Sequence, residues 1–300
     1  FWLKGFHAIS KGWNSKALLL GEVWDSPQAT IPYLDNELDI CFEFALAGAT
    51  LSSVNSGDPG ALEVAWSEVA QLYPFQRYAT FLTNHDQERV MTQLGEDFDK
   101  AKLAATALLT SPGVPFIYYG EEIGMTGKKP DEWIRTPMQW TSDSSAGFTG
   151  GWPWERVNYD YKMKNVEAQL TDSNSLLNHY RELIHLRAEY TALRIGTRTT
   201  VQSSNPKVYA YLRHSESEEI LVILNFSDAA ISDYRLALLQ SDVPVGTYAP
   251  WDLLGNNEIA GFSVNMRGEF SDYWPLSLLE PRTGYVLLLR SDLTDGGTEN

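Results

Sequence analysis

The stretch Ala17-Leu18-Leu19-Leu20-Gly21-Glu22-Val23-Trp24 is a short apolar run that stops on a glycine and a carboxylate. Its length suits a strand buried on both faces, the kind found in parallel sheets covered by helices. Working outward, residues 39–45, 79–83 and 114–119 form further short apolar runs, the last entered through the Pro112-Gly113 turn. Residues 61–73 and 99–110 carry helical patterns between them. Strands alternating with helices specify βα units around a parallel sheet, so the first part of the chain reads as α/β with four strands.

Beyond this the periodicity changes twice. Residues 126–169 lack a regular pattern and are rich in Trp, Pro, Gly and Asp, and irregular stretches of that length in compact domains are usually functional. An amphipathic helix follows over residues 175–189, with Leu176, Leu177, Tyr180, Leu183, Ile184 and Leu186 on one face. After Ile195-Gly196 the period becomes two, and residues 208–212, 220–224, 234–238 and 285–289 read as strands of a small antiparallel β-domain. The chain therefore divides into residues 1–192, α/β, and residues 193–300, all-β. The tail, residues 294–300, is polar and expected to be mobile. At the other end Phe1, Trp2, Phe6 and Ile9 recur at helical spacing with no capping residue ahead of them, so the chain is expected to begin inside a domain.

Composition narrows the partners. With 23 Lys and Arg against 39 Asp and Glu, the net charge of −16 argues against nucleic acid and anionic membrane and suits an uncharged substrate. No run of about 18 apolar residues is present to span a bilayer. The single Cys41, set between Ile40 and Phe42, cannot form an internal disulfide and reads as a small buried hydrophobe. Compartment is not indicated.

In parallel α/β architectures catalytic groups sit at the C-terminal rim of the strands, and Glu22 and Asp86 occupy such positions. Trp24 flanks Glu22 and would supply an apolar neighbour that favours the neutral, proton-donating carboxyl of a general acid. Asp86 lies within Thr83-Asn84-His85-Asp86-Gln87 after the third strand. Two rim carboxyls suit glycosidic chemistry, in which one protonates the leaving oxygen and anionic groups stabilise an oxocarbenium-like transition state. The same residues also fit a helix cap at Glu22 and a simple hydrogen-bonded His85–Asp86 couple.

Five segments, in order, resemble the α-amylase family, glycoside hydrolase family 13. LLLGEVWD (residues 18–25) resembles that family's fifth barrel strand, FLTNHDQERV (81–90) its seventh, and GVPFIYYGEEIGM (113–125) its eighth. IRTPMQW, AGFT and NVEAQ resemble the long eighth loop of α-glucosidase-like members, and ILVILNFSD (220–228) the following β-domain. The resemblance implies the C-terminal half of a TIM (β/α)8 barrel over residues 1–192, strands five to eight, followed by an antiparallel β-sandwich over residues 193–300. It implies Glu22 as general acid/base, Asp86 as transition-state stabiliser and His85 as a sugar-binding residue. Arg89 reads as a structural ion-pair partner and Glu121 and Glu122 as cleft-lining or turn-capping residues. Arg135, Trp140 and the Trp152-Pro153-Trp154 cluster are candidates for the substrate entrance.

The family's nucleophile, an Asp in a GFRxD motif after the fourth strand, has no counterpart here, and neither do the early strands or the Ca²⁺ ligands around them. The expectation is a retaining hydrolase of α-glucosidic bonds in starch or malto-oligosaccharides, represented by a portion inactive alone and holding neither cofactor nor metal. Two exposed sheet edges imply self-association or pairing with a missing N-terminal half. A transglycosylase or glucosyl isomerase of the same family and a non-catalytic binding or scaffold member are the alternatives.

Overall fold

The computed structural model describes residues 2–239 and 241–291, so both Phe1 and the polar tail, residues 294–300, lie outside it. The chain forms two compact units. One comprises Phe1–Ser53, Gly60–Glu96 and Gly113–Asp172, the other Val54–Pro59, Asp97–Pro112 and Ser173–Asn300.

In the first unit β1 (Leu20–Gly21), β2 (Ile40–Phe42), β3 (Tyr78–Thr80) and β4 (Val114–Pro115) form a parallel sheet in chain order. Leu20 is paired with Ile40, Cys41 with Tyr78 and Ala79 with Val114. This is the partial barrel expected, with shorter strands than the apolar runs indicate. The run over residues 39–45 in fact splits into β2 and the start of a helix, Phe44–Ser56, that the sequence reading did not anticipate. Glu43 makes the break. Its amide donates to Ala79 O at 3.0 Å, while its carboxylate accepts from the Leu46 amide at the start of the helix. Burial pushes the Glu43 carboxyl up, against the amides of Leu46 and Ala45. The next helix, Gly60–Leu72, buries Leu62, Ala65, Trp66 and Val69 on one stripe, the spacing its sequence carries.

Two features pin the sheet. A Cβ at Gly21 would lie 2.4 Å from Leu38 Cδ1 and 2.8 Å from Cys41 Sγ, so β1 approaches β2 this closely only because glycine stands there. Below the sheet Asp39 accepts from the Leu19 amide at 2.7 Å and pairs with Lys11 Nζ at 2.8 Å. Burial pushes the Asp39 carboxyl up, but Lys11 and the Leu19 amide outweigh it and leave the group below its usual range.

The second unit contains two helices capped as their sequences indicate. Asp97 accepts from the Asp99 and Lys100 amides at the head of Phe98–Thr110, and Ser175 Oγ from the Asn178 amide at the head of Leu176–Glu189. Its strands are β5 (Thr197–Ser203), β6 (Val208–His214), β7 (Glu219–Asn225), β8 (Leu236–Leu238), β9 (Gly246–Asp252), β10 (Phe262–Val264), β11 (Phe270–Tyr273) and β12 (Gly284–Ser291). All pairings are antiparallel, in the order β10-β9-β12-β7-β6-β5-β8-β11. Tyr234, Phe262, Phe270, Tyr273 and Leu287 contribute to one buried core between its faces. Strands β6, β7, β8 and β12 stand where the two-residue period places them. The other four escaped notice because β5 is largely polar and β10 and β11 are very short, while β9 carries Pro250. Among the described residues no helix is long and apolar enough to cross a membrane.

His179 in the helix Leu176–Glu189 is largely but not fully buried, with Nε2 2.9 Å from Thr106 Oγ1 and 3.1 Å from Lys102 O. Burial, reinforced by the Lys102 ammonium, brings its pKa from 6.5 down to about 4, despite the Lys102 carbonyl bond. The folded pKa is the depressed one, so between pH 6.5 and about 4 the unfolded chain takes the proton first. The contribution of the neutral ring is present above that window and is lost as pH falls through it, by about 3 kcal/mol in total. Urea denaturation across this range is expected to show that loss, and His179→Gln is expected to flatten it by a comparable amount.

Candidate active site

Glu22 directly follows β1, and His85 and Asp86 lie in the loop that follows β3. The parallel register brings the three together. One donor atom from each of Glu22, His85 and Asp86 lies within 4.8 Å of the other two. His85 Nε2 stands 3.5 Å from Asp86 Oδ1.

Asn84, to which the sequence assigned no role, and Arg135, read there as a candidate for the substrate entrance, hold this arrangement. Asn84 donates through Nδ2 to Glu22 Oε1 at 3.1 Å and accepts through Oδ1 from the Asp86 amide at 3.0 Å, so one side chain ties the two carboxylate positions. Arg135, from the long loop, donates through Nη2 to Asp86 Oδ1 at 2.6 Å and to Asp131 Oδ2 at 2.8 Å, and through Nε to His85 O at 2.9 Å. The Asp131 carboxyl in turn is held below its usual range by the Lys129 hydrogen bond and by Arg135, against a little desolvation. The signal for Asn84 was its position between the strand and the His-Asp pair. For Arg135 the local partner Asp131, four residues back, was legible in principle, but its reach to Asp86 and to His85 O, 49 and 50 residues away, leaves no local signal.

Aromatic rings line the strand ends. Phe42 packs edge-on against Phe81 and Phe116, with centroids 5.1 and 4.9 Å apart, and Phe44 against Phe81 at 5.0 Å. Trp24 stacks on Phe44 at 4.7 Å and 12° between planes. The desolvating role expected of Trp24 at Glu22 is therefore corrected: its ring is spent on Phe44, and Glu22 is exposed.

The other candidates divide. Arg89 is fully buried, with its guanidinium 4.7 Å from the ring centroids of both Tyr118 and Tyr119 and Nη1 donating to Tyr119 O at 2.6 Å. A tyrosine clamp holds it, in place of the ion pair expected. Desolvation pushes its pKa down against those two rings. Tyr118 is pushed up to about 12 by burial, against the Arg89 charge. Glu121 and Glu122 form a short turn between Gly120 and Gly124, both in the left-handed region, and burial pushes Glu122 up. Trp140, Trp152 and Trp154 are exposed on the long loop. The trio's donors are spaced for a cation, but the Arg135 guanidinium on Asp86 Oδ1 already supplies positive charge there and opposes one.

Comparison with known proteins agrees with this geometry. The family model described as "Alpha amylase, catalytic domain" matches residues 1–196, and that described as "Maltogenic Amylase, C-terminal domain" matches residues 198–260. The chain is 37% identical over 231 residues to Alpha-amylase 3 of Dictyoglomus thermophilum, covering 75% of this chain and 46% of that protein. It is 36% identical over 189 residues to an oligo-1,6-glucosidase of Parageobacillus thermoglucosidasius, covering 49% of this chain and 34% of that one. The crystal structure of an α-amylase from H. orenii superposes with a TM-score of 0.78 at 31% identity, over 96% of this chain and 56% of that one. The chain thus spans half or less of the length of these curated relatives.

Replacing Arg135 with Met removes the bonds to Asp86 and to His85 O together. Because both partners of this ion pair are partly exposed, global stability is expected to fall by less than about 1 kcal/mol. Hydrogen exchange at the amides of residues 84–87 is expected to speed up well beyond that of the strands, and unchanged exchange there would contradict the positioning described.

Proposed function

The chain belongs to the α-amylase family, glycoside hydrolase family 13, and from that premise we propose that it is the part of a retaining enzyme that supplies the acid catalyst for cleaving α-glucosidic bonds of starch or malto-oligosaccharides. The convergence of Glu22, His85 and Asp86 at the C-terminal ends of two parallel strands carries this reading. Glu22 protonates the glycosidic oxygen as its bond to the anomeric carbon breaks. The Asp86 carboxylate stabilises the positive charge that develops on the sugar ring, and His85 hydrogen-bonds a sugar hydroxyl. At this trio the positive charge beside Asp86 comes from Arg135.

Retention needs a carboxylate nucleophile on the far face of the sugar. Asp86 is poorly placed to serve, since its Oδ1 accepts a charged hydrogen bond from Arg135 that lowers its nucleophilicity. With no GFRxD motif in the 300 residues, the chain alone is inactive. The nature of the acceptor, water or a second sugar, decides between hydrolysis and transglycosylation. A non-catalytic scaffold role is less favoured, because such a protein has no need of a converged acid pair.

The chain alone is expected to release no glucose from maltotriose above the buffer background. A longer chain carrying a GFRxD motif is expected to turn over, with Glu22→Gln lowering kcat by about 10³. That variant should keep most of its rate on α-glucosyl fluoride, whose leaving group needs no proton. Turnover by the 300 residues alone, or full activity of the variant on maltotriose, would refute the assignment.

The outer strands β1 and β4 leave backbone groups open along their edges, and the helix Trp2–Trp13 buries none of its residues. We propose that these edges pair with further parallel strands, from a second copy or from an N-terminal half-barrel. Sedimentation at micromolar concentration is expected to show association. A single monomeric species would count against it.

A further inference from the structure

The long irregular loop encloses a cavity that the acid pair does not touch. It has a volume of about 630 Å³, within the range of small-ligand sites, and none of Glu22, Asn84, His85, Asp86 or Arg135 lines it. It lies wholly in the first unit, between the turn that follows the short helix Val90–Gln93 and residues 126–159.

We propose that this cavity is a second saccharide site that binds a short α-glucan. Its lining matches an uncharged polyhydroxyl ligand in three ways. Trp133 and Tyr159 contribute rings that are 58% and 86% exposed, so each has a face available to stack on a sugar ring. The charged lining residues are two carboxylates, Glu96 and Glu155, and two cations, Lys128 and Arg156, which cancel and leave no preference for an ion. Together with the lining threonines they offer both donors and acceptors, as alternating sugar hydroxyls require.

The walls are also fixed in advance. The Arg89 amide donates to Gly127 O at 3.0 Å, the Gly127 amide to Thr92 Oγ1 at 2.8 Å, and Asn158 Nδ2 to Thr126 O at 2.9 Å. These bonds join the two sides of the cavity, so little ordering remains for a ligand to impose. Glu96 adds a further sign. It stands at φ 62°, beside Gly95 at φ 70°, where an L side chain is disfavoured and glycine would be less strained. A carboxylate stands at the rim in that conformation.

The choice of an α-linked ligand rests on the proposed function, whereas the existence of the site rests on the cavity itself. Calorimetric titration of the chain with maltotriose is expected to show millimolar binding. Trp133→Ala is expected to weaken it at least about tenfold. Tyr159→Ala, at a position too exposed to threaten folding, is expected to weaken it as well. Asp86→Ala should leave this binding intact. Loss of binding in Asp86→Ala with retention in both aromatic variants would overturn the proposal, as would no binding of maltotriose or a preference for cellotriose. The titration needs no turnover, so it can fail or succeed independently of the acid assignment at Glu22.

Discussion

The parallel register of β1 on β2 and of β2 on β3 is the constraint on which the candidate site depends. Neighbouring strands lie about 4.8 Å apart, so β1 and β3 are separated by about twice that distance, and only side chains leaving the same end of both can meet. Pairing of Leu20 with Ile40 and of Cys41 with Tyr78 sets those ends level. A slip of one residue on either ladder would turn Glu22 or the His85–Asp86 loop away. The intervening strand adds no charge to the rim. Phe42 ends it with a ring packed on Phe81 and Phe116, and Glu43, next in the chain, is turned aside to hold the start of a helix. The contact of Gly21 with Leu38 and Cys41 makes the same register sterically possible.

Much of this could be read from the sequence because it is written in short-range patterns. The four apolar runs located the four strands, and the helix Leu176–Glu189 with its Ser175 cap lay where its stripe placed it. What escaped was structure decided by distant partners. The break at Glu43 is marked locally only by a single carboxylate in an apolar run, and half of its anchoring, the bond to Ala79 O, lies across the sheet. Arg89 carries a charge that suggests a carboxylate partner, yet two tyrosine rings nearly thirty residues on receive it. Trp24 sits two residues from Glu22, but the ring it meets is Phe44. Sequence neighbours indicate which end of a strand a side chain leaves, and packing decides what it touches.

Two carboxylates this close repel each other. One oxygen of each lies within 4.8 Å of the other, and two full charges at that limit repel by about 1 kcal/mol even in water-like surroundings. Arg135 and Asn84 offset it unequally. The guanidinium gives Asp86 a charged hydrogen bond, while Glu22 receives only a neutral amide. The two carboxyls therefore sit in unlike hydrogen-bonding surroundings, one against a guanidinium and the other against an amide. The positive charge comes from a loop with no place in the βα repeat, so the sheet positions the pair and the loop differentiates it.

The orientation of the Asn84 amide follows from the same network. Its Oδ1 accepts the Asp86 backbone amide, a donor whose direction is fixed, so its Nδ2 must be the atom that faces Glu22. An NH₂ group can only donate, and Glu22 Oε1 must therefore be an acceptor. The rotation of the Glu22 carboxyl is thereby set by a chain of bonds that begins at the Asp86 amide. Asn84 thus couples the two carboxyls in orientation as well as in space: a change at the Asp86 amide would be felt as a change in the direction in which the Glu22 carboxyl faces.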